Sequence, residues 1–275
     1  MTLADALAAA TRMGLARLDA QLLLPHALGR GPQERAWLLA HDTDLLPEAV
    51  RLAFMRFCER RLGGEPLAYI TGRKAFFGLD LKVDPRVLVP RPETETLVEW
   101  ALDVLLDRQQ PRVVDLGTGS GAIALAVKRE RPDAQVLATD SSAGALEVAE
   151  ANARALNMDI TFRPTSWLTG IDHRFDVIVS NPPYIAAADE HLPALAHEPQ
   201  VALVAGPDGL DDLRAIIGQA PANLVAGGWL LLEHGYDQAE AVRALLAEAG
   251  FHGVGSRPDL AGIARCSGGQ RLELG

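Results

Sequence analysis

Cysteine is almost missing from this 275-residue chain: Cys58 and Cys266 are the only two. They lie far apart, with no Cys-x-x-Cys spacing and no Cys/His cluster, so neither a disulfide framework nor a structural zinc site is indicated. A reducing, cytoplasmic location is expected. The seven histidines show no ligand spacing, and no metal is expected. Long apolar runs are lacking too. The nearest, Trp229-Leu230-Leu231-Leu232, is far short of the roughly 20 residues that span a bilayer, so a membrane is not an expected partner. Residues 3–18 place Arg12 and Arg17 among alanines, as a transit peptide would, but Asp5, Asp19 and a helical periodicity suit an ordinary first helix better.

Positive charge is the third shortage. The formal net charge is −10, and no basic stretch is interleaved with aromatics, which argues against direct binding to a nucleic acid backbone. The imbalance is uneven. Residues 1–86 hold 12 Lys and Arg against 10 Asp and Glu, which leaves 14 against 26, a net of −12, for residues 87–275. The acidity belongs to the larger C-terminal part.

The length suits one large domain, or an ordinary domain plus a small one. Over the first 63 residues, apolar residues recur at helical spacing (Leu15, Leu18, Leu22; Val50, Phe54, Phe57) between breaks at Gly14, Gly29-Arg30-Gly31-Pro32 and Leu46-Pro47. A small helical bundle is expected, closed by Gly63-Gly64. From residue 69 to 89 the pattern turns strand-like, interrupted by Asp84-Pro85, and a β-hairpin linker is expected. Beyond about residue 90, helix and strand patterns alternate: strands near 112–116, 135–139, 159–163, 175–180 and 228–232, separated by helices, then two short strand-like pieces after 253. Such alternation predicts an α/β fold whose mostly parallel sheet carries helices on both faces. The expected organisation is residues 1–68 helical, 69–90 linker and 91–275 catalytic.

The first of these strands runs into Asp115-Leu116-Gly117-Thr118-Gly119-Ser120-Gly121-Ala122. Three alternating glycines before a helix let backbone approach a ligand at the helix N-terminus. The string also satisfies G-x-G-x-x-A, so a nicotinamide dinucleotide is one reading. Asp115 tilts the choice, because a carboxylate there would repel a pyrophosphate but could accept from an ammonium or a sugar. Asp140 ends the second strand, where an acid can take both ribose hydroxyls of an adenosine cofactor. Taken alone, it reads equally well as the N-cap of the next helix, beside Ser141 and Ser142.

After the fourth strand comes Asn181-Pro182-Pro183-Tyr184. Two prolines stiffen the backbone and remove donors, leaving carbonyl acceptors suited to an –NH2 guest. An isolated Asn-Pro-Pro would be a strand-terminating turn. In an open α/β sheet, however, ligands sit outside the carboxyl ends of the strands, so the glycine loop and Asn181 should face one crevice.

This combination resembles the class I S-adenosylmethionine-dependent methyltransferases that modify amide or exocyclic amino nitrogens. Glu65-Pro66-Leu67-Ala68-Tyr69-Ile70-Thr71-Gly72, Phe76-Phe77-Gly78 and Val87-Leu88-Val89-Pro90-Arg91-Pro92-Glu93-Thr94-Glu95 are similar to the release factor glutamine methyltransferases, the PrmC/HemK family. So are Glu198-Pro199-Gln200-Val201-Ala202-Leu203, Gly206-Pro207-Asp208-Gly209-Leu210 and Glu233-His234-Gly235-Tyr236. Arg91 and Glu93 by themselves would be a solvated ion pair. The resemblance implies a class I methyltransferase fold with a seven-stranded sheet, and S-adenosyl-L-methionine as cofactor with S-adenosyl-L-homocysteine as product. It implies that Gly117, Thr118, Gly119, Ser120 and Gly121 wrap the methionine part and that Asp140 holds the ribose. Trp167 would pack on the adenine; a core tryptophan is its other reading.

The resemblance also implies the substrate, the glutamine of the Gly-Gly-Gln motif in class I peptide chain release factors, methylated at N5; separately, a monomer is expected. In that reading Asn181 and the Pro182 carbonyl accept the two amide hydrogens, Pro183 stiffens the segment and Tyr184 stacks on the amide. An adenine or cytosine amino-N methyltransferase is the alternative enzyme, and a non-catalytic cofactor-binding module the alternative of another class. Gly268-Gly269-Gln270 near the C-terminus raises self-methylation, against the plainer reading of a turn.

Overall fold

In this computed structural model, which describes residues 1–31 and 34–272, the chain divides into two compact units, Met1–Arg73 and Lys74–Gly275. The first is helical: α1 (Leu3–Arg12), α2 (Arg17–Ala27), α3 (Arg35–Ala40), α4 (Glu48–Leu62) and α5 (Leu67–Thr71). Thr2 starts α1 with a capping box, its hydroxyl accepting from Asp5 N–H while the Asp5 carboxylate accepts from Thr2 N–H. Leu3, Leu23, Leu24, Phe54 and Cys58 fill the core of this unit. Residues 67–71 correct the strand expected from residue 69. Pro66 precedes the turn, Gly72 closes it at φ 70°, and Tyr69 and Ile70 are buried on one helical turn.

A hairpin of β1 (Arg73–Phe76) and β2 (Leu79–Lys82) follows, all of it but Arg73 belonging to the second unit. A class I methyltransferase fold follows: α6 (Glu95–Val104), β3 (Arg112–Leu116), α7 (Ala122–Glu130), β4 (Gln135–Asp140), α8 (Ala143–Ala155), β5 (Thr161–Pro164), β6 (Phe175–Ser180), α9 (Asp211–Asn223), β7 (Leu224–Glu233), α10 (Ala239–Glu248), β8 (Phe251–Pro258) and β9 (Ala264–Arg271). The sheet has seven strands in the order β5-β4-β3-β6-β7-β9-β8. The first five in that order are parallel, and β9 closes antiparallel between β7 and β8. The central strands are apolar on both sides because helices cover both faces, giving two cores. One gathers Leu97, Val98, Leu125 and Val177; the other gathers Leu116, Ile178, Leu213 and Leu230.

Gly268-Gly269-Gln270 is a strand, not a turn. It lies inside β9, where a β-carbon on Gly268 would stand 2.6 Å from Leu231 Cδ2 and one on Gly269 would stand 2.8 Å from Phe251 Cβ. The Gln270 amide donates to the Gly227 carbonyl at 2.9 Å. Close packing between strands accounts for both glycines.

Candidate active site

From β3, the chain runs outward to β4 and β5 on one side and returns to β6 and β7 on the other, so the order reverses between β3 and β6. A crevice opens at the carboxyl ends of such strands. Leu116 is level with Thr139 and Ser180, and Ser180 is level with Leu232. Outside these ends lies a cavity of about 230 Å³, whose lining includes Gly117, Thr118, Gly119 and Ser120, with Asp140, Trp167, Asn181 and Pro183. The crevice therefore unites the glycine loop with Asn181, as expected from the sequence.

Short bonds hold the loops in place. Thr118 N–H donates to the Thr139 carbonyl at 2.8 Å, and the Ser180 hydroxyl donates to the Leu116 carbonyl at 2.7 Å. Gly117, Gly119 and Gly121 all have positive φ, but for different ends. A β-carbon on Gly117 would meet Trp167 Cζ3 at 3.2 Å, whereas one on Gly119 would meet nothing within 4 Å. Gly121 does not line the cavity. Its β-carbon would meet Leu125 Cδ1 at 3.1 Å and Ala149 Cβ at 3.3 Å, so a glycine at this position permits the close packing of α7 on α8.

Asp115 is fully buried and is not among the cavity-lining residues, its Oδ2 accepting from the hydroxyl of the cavity-lining Thr118 at 2.6 Å and from Ala124 N–H at 3.1 Å. Oδ1 has no partner. Burial pushes the carboxyl up to about 7, against the two hydrogen bonds, which pull it down.

Asp140 does line the cavity. Its Oδ2 accepts from Gly119 N–H at 3.0 Å and Oδ1 from Ser142 N–H at 2.8 Å. The helix cap is Ser142, whose hydroxyl accepts from Ala145 N–H, so the capping reading of Asp140 falls. Burial raises its pKa while the backbone donors lower it. Each carboxylate oxygen keeps a lone pair for a further donor. Held at φ 51°, the half-buried Trp167 indole packs on the second core, as its core reading expected, and forms a cavity wall over Gly117.

Asn181 donates from Nδ2 to Thr94 Oγ1 at 3.1 Å, and its Oδ1 is buried without a partner. A buried acceptor on a cavity-lining residue can take a hydrogen bond from a donor placed in the cavity. Pro182 and Tyr184 do not line this cavity. Tyr184 packs instead on the second core, its carbonyl accepts from Gln238 Nε2 at 3.0 Å, and burial raises its phenol pKa.

Other site residues are not legible from local sequence. Arg91 pairs not with Glu93 but with Glu198, whose buried carboxylate also accepts from Val89 N–H at 3.0 Å. Glu198 thereby ties the segment before α6 to the loop after β6, and both contribute to the cavity wall. Asn152 on α8 is buried, donating to the carbonyls of Ser120 and Lys82 and accepting from Lys82 N–H. Asp212 lines the cavity near Trp167; burial and Asp211 raise its pKa while the indole opposes them. Glu198 stands in a string that carried the resemblance; Asn152 and Asp212 had no such signal.

Two family models match the chain, the PrmC N-terminal domain over residues 2–72 and the methyltransferase small domain over residues 95–198. A release factor glutamine methyltransferase from Bordetella pertussis is 52% identical over 260 residues, covering 93% of this chain and 95% of that protein. Another from Xylella fastidiosa is 49% identical, covering 96% and 98%. Among solved structures, a methyltransferase from Pyrococcus furiosus shares the fold, with a TM-score of 0.56 at 21% identity over 78% of this chain and 98% of that one. With half of all positions shared along nearly the whole of both sequences, on a fold that carries the expected crevice, this chain belongs to the release factor glutamine methyltransferase family.

Proposed function

We propose that this protein methylates N5 of the glutamine in the Gly-Gly-Gln motif of class I peptide chain release factors, in the cytoplasm where they act. S-adenosyl-L-methionine is the methyl donor, and S-adenosyl-L-homocysteine and N5-methylglutamine are the products. The observation that carries this reading is the Asn181 amide, anchored at its nitrogen and left with an unpaired oxygen at the cavity. The relatives' names supply the substrate.

The residues present fit the cofactor. Gly117 keeps the space under Trp167 clear of a β-carbon, Asp140 retains acceptor capacity for ribose hydroxyls, and the indole offers an apolar face for a purine. Once bound, the cofactor supplies a methyl group made electrophilic by its sulfonium. A carboxamide nitrogen is a poor nucleophile, because its lone pair is delocalised into the carbonyl. The protein's task is to hold that nitrogen. Asn181 Oδ1 accepts one amide hydrogen and the Pro182 carbonyl the other, which aims the nitrogen and stabilises the positive charge it gains. With that methyl supplied, the amide nitrogen would gain the methyl in place of one hydrogen, and the surplus proton would pass to water. Orientation accounts for much of the acceleration. Pro183 and Tyr184 keep the segment stiff.

One chain supplies every residue named, so a monomer is the proposed working unit. Incubation with labelled S-adenosylmethionine tests the reading. Label should appear on a release factor and not on its Gln→Ala variant or on DNA; label on DNA would overturn it. The helical unit is proposed to recognise the release factor surface. Deleting residues 1–63 should weaken release factor binding more than cofactor binding, and equal binding by the truncated protein would remove that role.

A further inference from the structure

The Asn-Pro-Pro-Tyr segment is held from both ends. Upstream, Ser180 belongs to β6, level with Leu116 and Leu232 in the sheet. Downstream, the Tyr184 carbonyl accepts from Gln238 Nε2 at 3.0 Å. The next residue, Ile185, pairs with Leu203 and Ala205 in the loop after β6, whereas Gln238 ties the segment to the turn after β7. Between its ends the segment has little freedom. Proline fixes φ at two of the four residues, and Asn181 and Pro182 each precede a proline, which confines them to extended backbone. A shift of the Tyr184 peptide therefore carries the Pro182 carbonyl and the Asn181 side chain with it.

Gln238 forgoes an ordinary task to make this bond. It stands at the N-cap of α10, where a Ser, Thr, Asp or Asn side chain accepts from the first turn, yet it makes no cap bond. Its Oε1 accepts instead from Gly235 N–H at 2.8 Å. Its Nε2 faces three carbonyls, those of Tyr184 at 3.0 Å, Gly209 at 3.4 Å and Asp208 at 3.5 Å. An N–H admits only an acceptor and a carbonyl only a donor, so this orientation of the amide satisfies both of its ends. Gly209 keeps the approach open. It is held at φ 75°, and a β-carbon on it would overlap the Tyr184 oxygen and stand 2.8 Å from Gln238 Nε2.

We propose that Gln238 is a positioning residue for methyl transfer: by donating to the Tyr184 carbonyl it fixes the Asn-Pro-Pro-Tyr segment, and with it the two acceptors of the substrate –NH2. The inference rests on the amide-methylation reading of the same site.

The test measures kcat and KM for methyl transfer to a release factor, with S-adenosylhomocysteine affinity read by calorimetry and folding by thermal denaturation. Gln238→Glu and Gln238→Lys divide the two ends of the amide between them. Glutamate keeps the acceptor for Gly235 N–H but turns a second oxygen toward the carbonyls; lysine loses that acceptor and keeps a donor for the carbonyls. Gln238→Glu should lower kcat about tenfold or more, with cofactor affinity and release factor KM within about threefold of wild type, and Gln238→Lys should recover most of the lost rate. A role confined to the start of α10 would rank the two the other way, because a helix N-terminus favours a carboxylate over an ammonium. Wild-type kcat in Gln238→Glu, or a rate in Gln238→Lys no higher than in Gln238→Glu, overturns the proposal. So does a loss of kcat matched by a loss of cofactor affinity, which marks a general disturbance of the site. If Gln238→Glu does not fold, Gln238→Met takes its place, removing both ends at similar bulk, and equal kcat for Gln238→Met and Gln238→Lys overturns the proposal. A wild-type protein inactive on the release factor would defeat the underlying reading instead, and that result is distinct from all of these.

Discussion

Gly117 lies under Trp167 so closely that a β-carbon on it would stand 3.2 Å from indole Cζ3. The loop backbone thus reaches the cavity wall through a residue that is also held at φ 69°. Gly117→Ala combines both penalties. We expect it to destabilise the fold by about 1–2 kcal/mol from the positive φ and to displace the indole. Calorimetry with S-adenosylhomocysteine should show affinity reduced about tenfold or more, a loss of about 1.4 kcal/mol. Unchanged affinity would mean that the indole forms no part of the cofactor site.

Asn152 sews the hairpin to the glycine loop, bonding Lys82 through both amide atoms and Ser120 through its nitrogen. Its replacement by alanine leaves the buried Ser120 carbonyl without this donor. Asn152→Ala should cost about 1–3 kcal/mol in chemical denaturation and raise amide exchange across residues 117–121. Exchange confined to the hairpin would show that the glycine loop stands without it.

Asp115 makes the stability of the ligand-free protein depend on pH. Its folded pKa, about 7, lies above the ordinary carboxylate value because burial disfavours the charge. Between about pH 4 and about 7 the folded chain keeps a proton that the unfolded chain has released, so this group's contribution is lost as pH rises through that window. The slope is at most about 1.4 kcal/mol per pH unit. Asp115→Asn should remove that decline, read as the difference between the two proteins' denaturation curves across the window. Parallel curves would show that the buried carboxyl is ionised throughout.

Gly268-Gly269-Gln270 should not be a substrate of its own enzyme. The Gln270 amide is bonded to Gly227 inside a paired strand, out of reach of any crevice while β9 is folded. Intact mass should stay unchanged after prolonged incubation with cofactor, and a gain of one methyl group would refute this. Gly268→Ala should destabilise by about 1–3 kcal/mol through overpacking against Leu231.

Period-2 and period-3.6 patterns, with glycine and proline at the breaks, sufficed to place the alternating elements of the second unit and its closing antiparallel pair. They also located the glycine loop, Asp140 and Asn181 at the ends of neighbouring strands. These features are local, set by backbone stereochemistry and by which face of an element is apolar. The resemblance then narrowed the family. The one-turn helix at residues 67–71 was missed because an apolar run that short fits either period.

What only the tertiary structure decided were the partners of buried polar groups. Asp115 accepts within the glycine loop and Gly121 lets α7 pack on α8, while Glu198 and Asn152 reach the site from distant parts of the chain. A buried carboxyl or amide is stable only where its hydrogen bonds are met. Which atoms meet them depends on the packing of the whole sheet, so no local pattern encodes the pairing of Asn181 with Thr94.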